Sequence, residues 1–147
     1  MRVQATLSFA MTVAPDEATQ VSILLKTMRV WCEAVRHVVD YVIRTRQTGL
    51  ARVHHALYRS LRERYGLPAR LATDAIRQGI WIARGWLKNP KRGNRPVIKR
   101  LWMVLTPRQS YTFKAHDEVS ILTLDGRKTY KLCYVERWHG QYKDWKP

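Results

Sequence analysis

Acidic residues are scarce in this chain. Eleven Asp and Glu stand against 27 Lys and Arg in 147 residues, a formal charge of +16 at pH 7. A surplus of that size opposes compaction through self-repulsion and is relieved by a polyanion, of which nucleic acid is the general case. Cysteine is scarcer still. Cys32 and Cys133 are the only two, too few for a four-thiolate zinc site and no basis for a disulfide framework. No apolar run approaches the ~20 residues needed to span a bilayer, and no lipidation motif occurs. The N-terminus has no charged segment leading into an apolar one, so a secretory signal is not expected. These absences point to a cytoplasmic protein without a membrane partner, nucleoid-associated if it binds DNA. Phosphate-binding glycine loops and the Gly-x-Ser-x-Gly elbow are missing too, which removes the commonest nucleotide-dependent and hydrolase chemistries.

Hydrophobic residues are present at 46%, with six Trp and seven Tyr. That suffices for a core and argues against disorder throughout. Residues 2–13 alternate, with Val3, Ala5, Leu7, Phe9, Met11 and Val13 on one face, which predicts a half-buried strand. Pro15-Asp16-Glu17 then reads as a helix start. The stripe Val21, Leu24, Leu25, Met28, Trp31, Cys32, Val35, Val38, Val39 and Val42 predicts a long amphipathic helix closed near Thr48-Gly49. A second helix is expected from Leu50 to Tyr65, ended by Gly66-Leu67-Pro68. A third is expected over Pro68 to Leu87, with Gly79 marking a close helix contact.

Lys88-Asn89-Pro90-Lys91-Arg92-Gly93-Asn94-Arg95-Pro96 reads as an exposed basic loop. Beyond it the period falls to two, and strands are expected at Val97–Leu105 and Tyr111–Ala115. Asp125-Gly126 between two alternating runs predicts a hairpin with a type I′ turn. The expected fold is α+β. Strand 1 and the C-terminal strands (1–15 and 96–147) form a small antiparallel barrel or sheet, and a three-helix insertion (16–95) ends in the basic loop.

The candidate site is a surface for phosphate. Lys88, Lys91, Arg92 and Arg95 crowd the loop; Lys99, Arg100, Arg108, Lys114, Arg127, Lys128 and Lys131 follow it, each able to displace a condensed counterion. Tyr111, Phe113, Tyr130 and Tyr134 interleave with them. Aromatic rings on a sheet can stack unpaired bases, but filling the core is their commoner use. In the helices, Arg52, His54, His55, Arg59, Arg62, Arg64, Arg70 and Arg77 lie off the apolar stripes and are candidates to line a groove.

Catalysis is not expected. His54 and His55 are adjacent, about 100° apart on a helix, and do not converge on a metal; His37, His116 and His139 are isolated. Asp16 and Glu17 suit a helix start, Asp125 a turn, and Glu33, Asp40 and Glu63 the arginines beside them. Asp117-Glu118 is the one tight acidic pair left, without the third carboxylate that metal-dependent phosphodiester cleavage normally uses. Neither a cofactor nor a metal is implied.

Three segments carry a family resemblance. Val13-Ala14-Pro15-Asp16-Glu17-Ala18-Thr19-Gln20 resembles a Pro-Thr-x-x-Gln helix entry. His54-His55-Ala56-Leu57-Tyr58-Arg59-Ser60-Leu61-Arg62-Glu63-Arg64-Tyr65-Gly66-Leu67-Pro68 resembles a helix, turn and "Tyr-Gly-Leu-Pro" entry to the next helix. Asp125-Gly126-Arg127 falls in the strand region. Together they resemble the N-terminal half of the TnpB/OrfB insertion-sequence proteins, RNA-guided nucleases related to type V CRISPR effectors. The resemblance implies a wedge barrel split by a helical recognition domain. It implies partners in guide or scaffold RNA and, beside it, double-stranded DNA, with shape read by protein and sequence by base pairing. It places Arg52, Arg70 and Thr73 among the contacts. Members of that family continue into a RuvC-like domain with an acidic triad and a zinc ribbon, whereas this sequence stops at Trp145-Lys146-Pro147. The expectation is therefore a non-catalytic binding module. The alternatives are an accessory subunit of a RuvC-like nuclease supplied in trans, or an unrelated basic RNA-binding or toxin-like ribonuclease protein.

Overall fold

The computed structural model describes residues 10–12, 18–115 and 117–133. The chain runs β1 (Ala10–Thr12), α1 (Ala18–Thr45), α2 (Leu50–Tyr65), α3 (Ala69–Lys88), β2 (Tyr111–Ala115), β3 (Glu118–Thr123) and β4 (Gly126–Cys133). It is an α+β arrangement in which helices precede the C-terminal strands and the N-terminal strand joins them. Sheet order is β1-β4-β3-β2, all neighbours antiparallel. The rest of the expected first strand, the Pro15 helix entry, His116, and Tyr134 onward lie outside the described residues.

The helices form one core. Trp31, Val35, Val38 and Val42 of α1, Val53, Leu57 and Leu61 of α2, and Leu71, Ile76 and Ile80 of α3 are all buried. These are the i, i+3, i+4 positions, so the apolar stripes meet as periodicity requires. Gly79 marks the closest approach of α3 to α1. A Cβ there would lie 2.5 Å from Val38 Cγ1 and 2.6 Å from Val38 Cβ, so no larger residue fits without separating the helices. A second cluster seats the sheet on the start of α1. Val119, Ile121 and Tyr130 pack with Leu24, and Met28, Tyr111 and Phe113 lie at the margin. The Tyr130 hydroxyl donates to Gln20 O at 2.8 Å. Thr27 Oγ1 accepts from Leu124 N at 3.1 Å, fixing the β3–β4 turn to α1.

Three sequence expectations need correction. Helix α1 ends at Thr45, not at Thr48-Gly49, because Arg46 takes a left-handed conformation (φ 60) and its N–H closes on Val42 O. The β3–β4 turn is not type I′. Positive φ occurs at Gly126 (φ 79) and not at Asp125, as in a type I turn closed by a left-handed glycine.

The segment 97–105 joins no ladder; it is an extended strap across the helices. Ile98, Trp102, Met103 and Leu105 pack onto the helical core, a spacing that does not alternate. Side chains of α1 satisfy its carbonyls: Arg36 donates to Ile98 O at 3.1 Å, and the Cys32 thiol to Trp102 O. Burial raises the Cys32 pKa above its ordinary value, as befits a thiol serving as a small core donor.

Candidate nucleic-acid interface

The helical hairpin α2–α3 carries eight cations, Arg52, Arg59, Arg62, Arg64, Arg70, Arg77, Arg84 and Lys88, and two carboxylates, Glu63 and Asp74. Both carboxylates are spoken for, Glu63 by Arg59 at 2.8 Å and Asp74 by Arg70 at 2.9 Å. Of the six cations left, Arg64 shares a pocket with Glu33 and Asp40 of α1, and Arg52, Arg62, Arg77, Arg84 and Lys88 are exposed.

The geometry of α3 follows from the helical repeat. With Gly79 turned to α1, positions 77, 81, 84 and 88 fall on the opposite side of α3. Arg77, Trp81, Arg84 and Lys88 are all exposed, and Trp81 stands 71% open to solvent. Among the described tryptophans it alone is exposed. Trp31 is buried and donates to Leu71 O, Trp102 meets the Trp31 ring edge-on at 5.4 Å, and Trp86 lies beneath the Arg92 guanidinium at 4.9 Å.

Beside this row, Leu50, Ala51, His54 and His55 of α2 and Thr73 and Arg77 of α3 line a groove of about 670 Å³. Arg84 donates to Thr48 O at 2.6 Å, which ties α3 to the segment before α2. His54 stacks on Tyr58 at 4.6 Å, and Arg62 lies over the same ring. Tyr58, Arg59, Arg62 and Glu63 line a second groove with Gly66 and Leu67.

The predicted site residues divide. Arg52 and Lys88 are exposed on this surface, and Thr73 lines its groove, its hydroxyl donating to Ala69 O. Arg70 lies on the same side of α3 but is engaged. It binds Asp74 and also donates to Thr106 Oγ1 at 3.0 Å, while Asp74 accepts from Thr106 and Ser110 as well. This half-buried cluster ties the turn before β2 to α3. Arg70 is therefore engaged as a structural clamp between α3 and that turn.

In the basic loop, Lys91 is exposed. Arg92 caps Leu87 O and covers Trp86, and Arg95 pairs with Asp40 at 2.9 Å. Lys99 and Arg100 are exposed on the strap, next to Arg29 and Arg36 and the Glu33 carboxylate. The loop is thus partly neutralised by α1. On the sheet, Lys114 and Lys131 are exposed, Arg127 donates to Gln109 O, and Lys128 pairs with Asp125. Arg108 is exposed with φ 62. Tyr111 packs edge-on to Phe113 at 5.9 Å at the margin of the sheet cluster and is partly buried there. Among the described residues the cations are spread over loop, strap, sheet and helices, and the hairpin carries eight of them.

Trp81 was legible and missed. It falls off the apolar stripe of α3 between two arginines, a place where an indole has no core to fill. Among the described residues no group of three or more His, Cys, Asp or Glu could hold a metal ion, and no helix is long and apolar enough to cross a membrane. No family model matches the chain, and no solved structure gives a significant match.

Proposed function

We propose that this protein is a non-catalytic nucleic-acid-binding module. It holds structured RNA, and duplex DNA beside it, in the manner of the N-terminal half of TnpB-like RNA-guided nucleases. The observation that carries this reading is the surplus of exposed cations on α2–α3, where Glu63 and Asp74 are paired with Arg59 and Arg70 and, among the described residues, Arg52, Arg62, Arg77, Arg84 and Lys88 are exposed without an ion-pair partner. Cations arrayed at helical spacing along a groove match the phosphate repeat of a nucleic-acid backbone better than a small anion. β1 pairs with β4, so the N-terminal strand returns to the sheet across the helical insertion.

The test is affinity against salt. Binding of a labelled stem-loop RNA and of a DNA duplex is followed by fluorescence anisotropy between 50 and 200 mM salt. A module making six to ten phosphate contacts loses about 10³- to 10⁵-fold over that range. The triple variant Arg52→Glu, Arg77→Glu, Lys88→Glu replaces three exposed side chains. It is expected to lower the slope of log Kd against log salt by about two to three. A flat salt dependence, or a triple variant that binds like the parent, overturns the proposal.

A further inference from the structure

The row on α3 holds more than charge. Trp81 sits at its centre, with Arg77 one turn before it and Arg84 and Lys88 one and two turns after. A helical side chain leans toward the N-terminus and covers the turn before its own Cα. The residue placed to fold back over Trp81 is therefore the one four positions on, and that residue is Gly85. Glycine inside a helix is unfavourable relative to alanine, so its presence calls for a reason. Packing supplies none, since a Cβ at Gly85 would meet nothing within 4 Å. The contrast with Gly79, six residues earlier, where a Cβ would strike Val38, is direct. Position 85 thus puts no side chain over the C-terminal side of Trp81.

We infer that Trp81 is a stacking platform for an unpaired nucleobase, with Arg77, Arg84 and Lys88 holding the phosphates on either side. The inference deepens the proposed function and rests on it. It changes the ligand from any polyanion to one with an unstacked base at this surface: a single strand, a loop or a bulge. Every base has a π face, so the platform grips without reading sequence, and the flanking cations set strand position. A perfect duplex offers phosphates but no free face to the ring.

The experiment uses the full chain and four probes of matched charge: single-stranded RNA, single-stranded DNA, a perfect RNA duplex and the same duplex with a one-nucleotide bulge. Trp81→Ala is expected to weaken single-strand and bulge binding by about 5- to 150-fold, the range for loss of one base–aromatic stack. Duplex binding and the salt slope should stay within twofold of the parent. A loss on RNA alone or DNA alone assigns the strand. Trp81→Phe should restore most of the affinity. Gly85→Leu, which covers the ring and leaves it in place, should imitate Trp81→Ala while the helix stays folded by circular dichroism. Equal losses on all four probes, or no loss with either variant, overturn the inference. If those variants bind normally while the Arg52, Arg77, Lys88 reversal abolishes binding, the stacking role falls and the phosphate surface stands. If the reversal also has no effect, the proposed function falls with it.

Discussion

The same substitution at two glycines of α3 should change stability in opposite directions. Alanine gains about 0.8–1 kcal/mol over glycine in a helix interior. At Gly85 nothing opposes that gain, because the added methyl meets no atom within 4 Å. At Gly79 the methyl would land 2.5 Å from Val38 Cγ1 and 2.6 Å from Val38 Cβ. Val38 is fully buried, and a Cβ is fixed to its backbone, so no rotamer change relieves the clash. Helices α1 and α3 must move apart. Overpacking of a tight core costs about 1–3 kcal/mol, and a clash with a backbone-anchored atom belongs at the upper end. Gly79→Ala should therefore lose about 1–2 kcal/mol net, and Gly85→Ala should gain nearly 1 kcal/mol. For a chain of this size 1 kcal/mol moves the midpoint by about 2–4 °C, which separates the two variants by roughly 5–10 °C. Thermal and urea unfolding followed by helical circular dichroism read both. A Gly79→Ala variant as stable as the parent, or a Gly85→Ala variant that is destabilised, would refute the helix contact and the orientation of α3 that follows from it.

Two further perturbations test the scaffold. Asp74→Ala removes three hydrogen bonds and strands the half-buried Arg70, for a loss of about 3–5 kcal/mol; Asp74→Asn should lose less, and a loss below 1 kcal/mol in urea unfolding would show that the clamp is not structural. His37 is held below its ordinary pKa of 6.5, first by burial and then by the nearby Arg64. The folded state thus binds the proton less readily than the unfolded chain, so the histidine's stabilising contribution is complete above pH 6.5 and lost as pH falls through the folded value. The urea midpoint should hold from pH 8 to 7 and decline below 6.5, and His37→Gln, which keeps a partner for the Tyr65 hydroxyl 3.2 Å away, should flatten part of that decline. An unchanged pH profile in the variant would contradict it.

The helical half was readable because its signals are local. Gly66 stops α2 in a left-handed conformation (φ 63), Pro68 opens α3, and the apolar stripes fix which faces meet. The strap was not readable because its carbonyls are satisfied by Arg36 and Cys32, some sixty to seventy residues away. β-rich sequence then looks the same whether or not a neighbouring strand exists. The engagement of Arg70 was not readable for a related reason. Asp74 stands at the i+4 position of an ordinary surface pair, and only Thr106 and Ser110, distant in sequence, bury it. Charge counting favoured the 88–100 region, where cations are densest along the chain, yet Asp40 and Glu33 of α1 fold against it. Density in sequence is not density in space, and α2–α3 shows the latter.

The Asp74 cluster has a mechanical consequence. One carboxylate holds a helix residue, Arg70, and two residues of the turn that leads into β2, Thr106 and Ser110. Helix and sheet are pinned at that point, so α3 cannot swing on the strap alone. Any load applied to α3 at that point passes to the sheet through Asp74 as well as through the strap.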